Sequence, residues 1–188
     1  VLSHCPVLAA LGFKDSKFSF KEFNCRVNKL ANALLKLGMG KGDRITILSE
    51  NCNEYVETFY AATKIGMVMA IVNPHLSLQN IRHLISNAGA TIVIVADEYK
   101  ELIQHLQPQL PSVREVIVIG SPWNEMKGYE EFISASSPEE PADITITEND
   151  LVYLPITGGT TGMPKQVMCS HRAVIADLFN TLLAFCIG

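Results

Sequence analysis

Four apolar runs along the first 120 residues constrain the fold of this chain more than any other feature. Each run places apolar, mostly β-branched residues at consecutive positions, which is typical of strands covered on both faces. Segments with helical spacing separate the runs, and strands that alternate with helices form parallel sheets with right-handed crossovers. The pattern predicts an α/β fold, an open and mostly parallel sheet flanked by helices on both faces. The runs are DRITILSE, MVMAIVNP, ATIVIVAD and VREVIVIG.

The segments between these runs have recognisable helix ends. Ser19 and Glu22 have the spacing of a capping box, in which the hydroxyl and the carboxylate satisfy two free amides, and Gly38 supplies a left-handed stop. Ser77 is the predicted N-cap of another helix, which ends at Gly89. Because open sheets of this kind bind ligands at the carboxyl ends of their strands, we expect a site at that edge. Further helices are predicted over NEYVETFYAATKIG and over EYKELIQHLQPQLP as far as Pro108.

Size and charge narrow the possible functions. The chain has 188 residues, of which 48% are hydrophobic, and a domain of this size buries roughly 70% of the surface that its unfolded chain exposes. The net charge is −4 and the basic residues are scattered. A nucleic-acid partner would require a basic patch, so this composition argues against one.

The cysteines and histidines indicate neither a disulfide framework nor a metal site. The five cysteines form no C-x-x-C pair, which predicts reduced thiols in an intracellular, cytoplasmic protein. The histidines have no metal-ligand spacing with the cysteines, so no metal-binding residue is predicted. Apolar runs all fall short of about 18 residues, and no transmembrane segment is predicted. The cysteines are Cys5, Cys25, Cys52, Cys169 and Cys186.

Composition divides the chain into three stretches. Residues 1–120 form the predicted α/β subdomain. Residues 121–150, which are rich in proline and acids, are interpreted as a connector with one short helix at YEEFIS and a solvated acidic surface. Residues 151–188 are predicted to add a strand–loop–strand segment and a helix to the same domain. The chain starts without Met and ends inside an apolar helical run, which predicts a piece of a longer protein.

A loop rich in glycine and threonine, TGGTTGMPK, lies between the apolar strand LVYLPI and the strand-like QVMCS. Glycines let backbone amides approach phosphate oxygens, hydroxyls add donors, and a lysine adds positive charge. Hydrogen bonds to a charged group contribute about 1.5–3 kcal/mol each, so the loop could hold a polyphosphate. The candidate binding residues are Thr157, Gly158, Gly159, Thr160, Thr161, Gly162 and Lys165.

A flexible linker is the other interpretation of this loop, and composition does not separate the two. The flanking strands and the restriction imposed by Pro164 favour a structured loop. A Walker loop would need glycine directly before Lys165 and a helix directly after it, and the Rossmann glycine spacing is absent as well. Ser170 is instead predicted to cap a helix that follows the second strand.

The loop and its flanks resemble the phosphate-binding signature of the adenylate-forming superfamily, which includes acyl-CoA synthetases, aryl-CoA ligases and peptide-synthetase adenylation domains. The resemblance extends upstream, nearly end to end, through the α/β subdomain, including the turn 41–44 and Asn73-Pro74. Ile156 stands where an aromatic is common. Gln166 stands where glycine is usual, and a requirement for positive φ there would strain the loop. The matching positions are Gly159-Thr160-Thr161-Gly162, Pro164-Lys165, Val167-Met168 and Ser170-His171-Arg172.

The resemblance implies a two-step reaction. A carboxylic acid attacks the α-phosphorus of ATP to give an acyl-adenylate and pyrophosphate, and the thiol of coenzyme A then takes the acyl group. Mg²⁺ and the loop residues would absorb the phosphate charge. The Thr-Gly-Gly variant resembles fatty-acyl members, so a fatty acid is the expected substrate, with aryl acids close behind.

The sequence lacks the later elements that the resemblance also implies. These are an aromatic-Gly-x-Thr-Glu segment with a magnesium-binding acid, a ribose-binding aspartate and a C-terminal subdomain with a catalytic lysine. The expectation is therefore an N-terminal fragment of a ligase, inactive alone and with no catalytic residue of its own. A standalone nucleotide-binding or scaffold module is the alternative. His171 and Arg172 could touch phosphate or simply begin a helix at the surface.

Overall fold

The computed structural model of the chain describes residues 9–13, 16–142, 144–157 and 163–186. Its longer elements alternate strand and helix, as the apolar runs predict. The strands are β1 (Ala9–Phe13), β2 (Ser16–Ser19), β3 (Arg44–Leu48), β4 (Val68–Ile71), β5 (Ile92–Ala96), β6 (Glu115–Ile119), β7 (Lys127–Gly128), β8 (Leu151–Leu154), β9 (Ile156–Thr157), β10 (Lys165–Gln166) and β11 (Cys169–Ser170). The helices are α1 (Phe20–Lys36), α2 (Asn53–Lys64), α3 (Leu78–Ala88), α4 (Lys100–Leu106), α5 (Tyr129–Ser134) and α6 (His171–Cys186).

The main sheet has seven strands in the described part of the chain, in the order β11-β8-β4-β3-β5-β6-β7. All neighbouring pairs are parallel except β11 with β8, which is antiparallel. Helices cover both faces, so the predicted α/β class and the mostly parallel sheet are confirmed. β1 with β2, and β9 with β10, form two separate two-stranded sheets.

Consecutive residues of the central strands belong to different cores, which explains why these strands are apolar at every position. Ile45 and Ile47 pack with α1, α2 and α5 on one face. Leu48 of the same strand packs with α3 and α4 on the other face. Thr46 is fully buried, and its hydroxyl donates to the carbonyl of Ala70 at 2.7 Å, so a polar group is accepted there without an unpaired donor.

The predicted helix ends are present. The amide of Ser19 donates to Glu22 Oε2 at 2.8 Å, and the amide of Glu22 donates to Ser19 Oγ at 3.3 Å, which completes the capping box at the start of α1. Ser77 caps α3 through the amide of Asn80. Gly38 has φ of 77°, the left-handed conformation predicted for it, and Gly89, the predicted end of α3, is left-handed as well, with φ of 64°.

A buried ionic network joins α1, α2 and α5. The carboxylate of Glu57 is inaccessible to solvent, and Arg26 contacts it twice, at 2.6 and 3.2 Å. The hydroxyl of Tyr129 donates to the same carboxylate at 2.7 Å, and Arg26 also pairs with Glu130. Burial and the nearby carboxylate raise the pKa of the Tyr129 phenol well above its usual value. The network fixes α5 against the first two helices.

The stretch 121–150 is more closely packed than its composition indicates. It contains β7, at the sheet edge, and the predicted helix at YEEFIS, which is α5. Residues 135–140 then run along α1, where side chains four residues apart bond to this segment: Asn24, Asn28, Asn32 and Lys36.

Four acids of this stretch form ion pairs, and three of them stay more than half exposed, so the interpretation as solvated surface needs correction only for Asp150, whose side chain is 23% exposed. The four carboxylates pair with bases of distant elements, because the chain folds back across the amino-terminal helices and turn. The pairs are Glu130 with Arg26, Glu140 with Lys64, Glu148 with Arg172 and Asp150 with Lys41.

Helix α6 lies largely exposed. Its large apolar side chains are between 50% and 82% accessible, from Leu182 at the lower limit to Phe185 at the upper. Within the described ranges, none of the helices has the combination of length and apolar character needed to cross a bilayer.

Candidate functional site

The predicted strand–loop–strand segment is one long antiparallel hairpin between Asp150 and His171. The amide of His171 donates to the carbonyl of Asp150 at 3.0 Å, which closes the base. Above it, Cys169 pairs with Tyr153, and the amide of Val167 donates to the carbonyl of Pro155 at 3.0 Å. Lys165 then pairs with Thr157 and Gln166 with Ile156. The glycine-rich run 158–162 joins these two strands in the sequence and lies outside the described residues. Lys165 and Gln166, which follow it, form a strand and not the helix start of a Walker loop.

Two of the seven predicted binding residues lie on the described part of this hairpin. Thr157 and Lys165 face each other as its last described pair, the tip of the described hairpin. The hydroxyl of Thr157 donates to the carbonyl of Lys165 at 3.3 Å, so this donor is engaged within the hairpin. Gly158, Gly159, Thr160, Thr161 and Gly162 lie outside the described residues.

Lys165 is exposed, and no carboxylate among the described residues pairs with it. An ammonium group without an internal counter-ion can contact an anion from solvent without breaking an existing ion pair. Of the described donors at this end of the hairpin, the ammonium group of Lys165 is therefore available to an anion, whereas the hydroxyl of Thr157 is engaged within the hairpin. Clusters of three or more His, Cys, Asp or Glu side chains that could hold a metal ion are absent from the described ranges.

The tip follows the carboxyl end of β8, which pairs in parallel with β4. Ligands of open α/β sheets bind at this edge. A polar cluster from three neighbouring loops lies at the same edge: Glu50 after β3, His75 after β4 and Tyr99 after β5. His75 Nε2 is 2.7 Å from Glu50 Oε1, and the Tyr99 hydroxyl donates to that oxygen at 3.1 Å. Sequence reasoning missed this cluster, although the positions directly after the strands could have indicated it.

Ion pairs hold the base of the hairpin. Lys41 Nζ is 2.7 Å from Asp150 Oδ2, which also accepts from the amide of Thr147 at 2.6 Å. Lys41 and then this amide lower the pKa of Asp150 to about 2. Arg172 pairs with Glu148 at 3.1 Å. Its guanidinium is thus engaged at the base of the hairpin, and the structure does not bring it to the tip.

The two departures from the superfamily pattern are accommodated. Ile156 packs, partly buried, against the core on the α3 and α4 face. Asn124 is the one non-glycine residue with positive φ in the described part of the chain, so Gln166 is not left-handed. A side chain at position 166 therefore introduces no left-handed strain, and the strain expected if this position had a positive φ is absent.

Helix α6 starts as predicted. Ser170 Oγ accepts from the amide of Ala173 at 3.3 Å, so the helix that follows the hairpin has a side-chain cap. His171, its first residue, has a buried Nε2 without a hydrogen-bond partner among the described residues.

The clear cavities of the described part lie away from the tip. One of about 480 Å³ is lined by Arg114, Asn124 and neighbouring residues at the β6 side of the sheet. Another of about 260 Å³ lies between Lys41, Gly66 and Asp150, at the amino ends of β3, β4 and β8. Thr157 and Lys165, both of them exposed, line neither of these two cavities.

The family model described as "AMP-binding enzyme" matches residues 3–186. The chain therefore belongs to the family of AMP-binding enzymes.

Among curated proteins, this chain is similar to two ligases at 30% identity. One is the 3-hydroxybenzoate–CoA ligase of Aromatoleum sp. (strain CIB), over 85% of this chain and 30% of the relative. The other is the medium-chain-fatty-acid–CoA ligase of Ectopseudomonas oleovorans, over 87% of this chain and 31% of the relative. The chain thus spans about three tenths of the length of these relatives.

Solved structures agree with this assignment. The N-terminal domain of FACL13 from Mycobacterium tuberculosis, solved with an inhibitor bound, matches 86% of this chain with a TM-score of 0.77 and 28% identity. The match covers 39% of that structure. The anthranilate CoA ligase AuaEII, in complex with anthranoyl-AMP, covers 89% of this chain with a TM-score of 0.85. Its 24% identity supports the fold alone.

Proposed function

We propose that this chain is the N-terminal part of an acyl-CoA synthetase, an ATP-dependent acid–thiol ligase. In the complete protein, a carboxylate oxygen bonds to the α-phosphorus of ATP while the bond to the β-phosphate breaks, which releases pyrophosphate. The thiol of coenzyme A then attacks the acyl carbon, and AMP leaves. The relatives are CoA ligases of about three times this length, so the activity belongs to the complete protein, and the chain alone is inactive.

One observation carries the proposal: Thr157 and Lys165, which flank the glycine- and threonine-rich run in the sequence, form the last described pair of a hairpin at the carboxyl edge of the sheet, in a member of the AMP-binding family. We propose that Thr157, Gly158, Gly159, Thr160, Thr161, Gly162 and Lys165 hold the β- and γ-phosphates. Because Thr157 donates within the hairpin, its hydroxyl oxygen acts mainly by holding Lys165 in register.

The proposed role of these residues is electrostatic. An anionic carboxylate has to approach a highly charged triphosphate, and donors fixed beforehand around the outer phosphates reduce that repulsion. Mg²⁺, when bound, would neutralise further phosphate charge. The described residues offer it no cluster of acidic or histidine ligands, so we assign no residue of this chain to the ion.

We propose a fatty acid as the substrate, because the Thr-Gly-Gly variant of the loop resembles fatty-acyl members of the superfamily. The similarity to an aromatic-acid ligase and to a fatty-acid ligase is equal at 30% identity, so the relatives do not choose between them. We also propose a cytoplasmic location, which the free thiols of Cys25, Cys52 and Cys169 support because disulfides are rare there.

The test is ATP–pyrophosphate exchange by the complete protein, with fatty and aromatic acids supplied in parallel. Removal of Lys165 deletes a charged contact worth about 1.5–3 kcal/mol, so Lys165→Ala should lower exchange about tenfold to a hundredfold. Gly159→Ala should lower it as well. Lys21→Ala, which removes an exposed lysine of α1, is the matched control. Unchanged exchange in both loop variants would remove the hairpin from the mechanism.

A nucleotide-binding module without catalysis is the second candidate, favoured by Ile156 and Gln166, which depart from the superfamily pattern. The gene sequence beyond Gly188 separates the two candidates. An open reading frame with the remaining ligase elements supports the enzyme, and a stop codon supports the module. Calorimetric titration of this chain with ATP then measures the affinity of the hairpin by itself.

A further inference from the structure

The β9–β10 part of the hairpin lies outside the seven-stranded sheet. Among the described residues, these strands pair only with each other, and an isolated two-stranded hairpin is marginally stable in water. If the tip is to present Lys165 in a fixed place, contacts with the rest of the domain have to brace it. Ile156 supplies one, because it packs against the core on the α3 and α4 face.

Gln166 supplies the second brace, on the strand that contains Lys165. Its Oε1 accepts a hydrogen bond from Asn87 Nδ2, at 3.3 Å, near the end of α3. No other side-chain hydrogen bond joins β10 to a residue outside the hairpin in the described ranges. Gln166 is half-buried, and its Nε2 is enclosed without a hydrogen-bond partner among the described residues.

We propose that Gln166 is a positioning residue, which holds β10 against α3 and so fixes the direction in which its neighbour Lys165 faces the outer phosphates of ATP. This inference rests on the proposed function. Gln166 has no positive φ, so the side chain fits without backbone strain, and it restricts the chain more than glycine would. Asn87 belongs to α3, whose Ser77 cap and left-handed Gly89 fix both of its ends, so the brace has a rigid support.

The experiment uses the complete protein and pyrophosphate exchange, with separate KM values for ATP and for the acid. Gln166→Met keeps the length of the side chain and removes the acceptor. We expect the KM for ATP to rise about threefold to tenfold, the range of a single neutral hydrogen bond, while the KM for the acid stays constant. A purely structural loss would lower the active fraction and leave both KM values unchanged.

Asn87→Ala removes the donor and should raise the KM for ATP by a similar factor. The double variant should be no worse than either single variant, because both changes delete the same hydrogen bond. Gln79→Met, an exposed position on α3, is the control for the chemical change and should have no effect. Thermal unfolding of each variant confirms that it folds.

The outcomes separate the two proposals. An unchanged KM for ATP in Gln166→Met, or additive effects of the two substitutions, overturns the inference while a loss of exchange in Lys165→Ala still supports the proposed function. Absence of exchange in the unmodified complete protein, or full exchange in Lys165→Ala, overturns both.

Discussion

The amide of His171 donates to the carbonyl of Asp150 at 3.0 Å, at the point where a strand and a helix meet. This bond closes the base of the hairpin whose last described pair is Thr157 with Lys165. Lys41 pairs with Asp150 and Arg172 with Glu148, so the base is fixed to the turn before β3 and to the start of α6. The position of the tip therefore depends on residues far from it in sequence.

Neutralising Asp150 should weaken the domain in a pH-dependent way. Lys41 and the amide of Thr147 lower its pKa to about 2 from the ordinary 3.8. Because the folded pKa is the lower one, the stabilisation is complete above about pH 4 and is lost as the pH falls toward 2. We expect Asp150→Asn to melt below the wild type at about pH 6 and the gap to close on acidification. Asp177→Asn, on exposed α6, serves as control, and a gap that is constant with pH would contradict this assignment.

Gly66→Ala should destabilise the fold more than Gly38→Ala. Both glycines are left-handed, with φ of 71° and 77°, so both variants bear the same conformational penalty, about 1–2 kcal/mol. A Cβ at Gly66 would also lie 3.1 Å from Lys41 Cγ and 3.4 Å from its Cα, whereas nothing lies within 4 Å at Gly38. Urea unfolding of the two variants measures the difference. Equal losses would show that Lys41 moves aside freely.

Removing Arg26 should be costly because it leaves the Glu57 carboxylate buried and without its counter-ion. Glu57 is inaccessible, and Arg26 contacts both of its oxygens. Breaking a buried pair on one side costs about 3–5 kcal/mol, and we expect that loss for Arg26→Met in urea unfolding. The double variant with Glu57→Gln should recover part of it, since no uncompensated charge then remains. A loss below about 1 kcal/mol in Arg26→Met would mean that water reaches the carboxylate.

The same substitution should cost far more stability in α1 than in α6. Leu34 is fully buried in the core under α1, whereas Leu178 is 57% exposed on α6. Leu34→Ala is therefore expected to cost about 2–5 kcal/mol, and Leu178→Ala about 0.5 kcal/mol or less. Chemical denaturation of this chain provides both values. A cost above about 2 kcal/mol for Leu178→Ala would show that α6 packs against an apolar surface in solution.

The sequence predicts the central sheet well because the signal there is local and strong. Ile45 and Leu48 belong to opposite cores, and the apolar run that contains them already requires cover on both faces. Caps such as Ser19 and Ser77 act within one turn, so their spacing is sufficient to place helix starts. The hairpin around the glycine-rich run also follows from local features, the two short strands and the capping serine after them.

Other elements were missed because their sequences have no periodicity. Three of them are the short strands β1, β2 and β7, which are recognised by the strands they pair with and not by their composition. The strand that contains β11 is predicted within QVMCS, but its exact register opposite Tyr153 is not. The ion pairs of residues 130–150 join positions up to about a hundred residues apart.

By itself, the sequence determined the central strands and the helices between them, that the sheet is covered on both faces, and that a run of glycines and hydroxyls lies between two strands. Burial periodicity and helix capping act over a few residues, so the local sequence is sufficient to predict these properties. Only the tertiary structure decided which acids become counter-ions, how Lys41 and Asp150 fix the base of the hairpin, and that Gln166 reaches Asn87. These contacts depend on where the folded chain brings distant residues within hydrogen-bond distance.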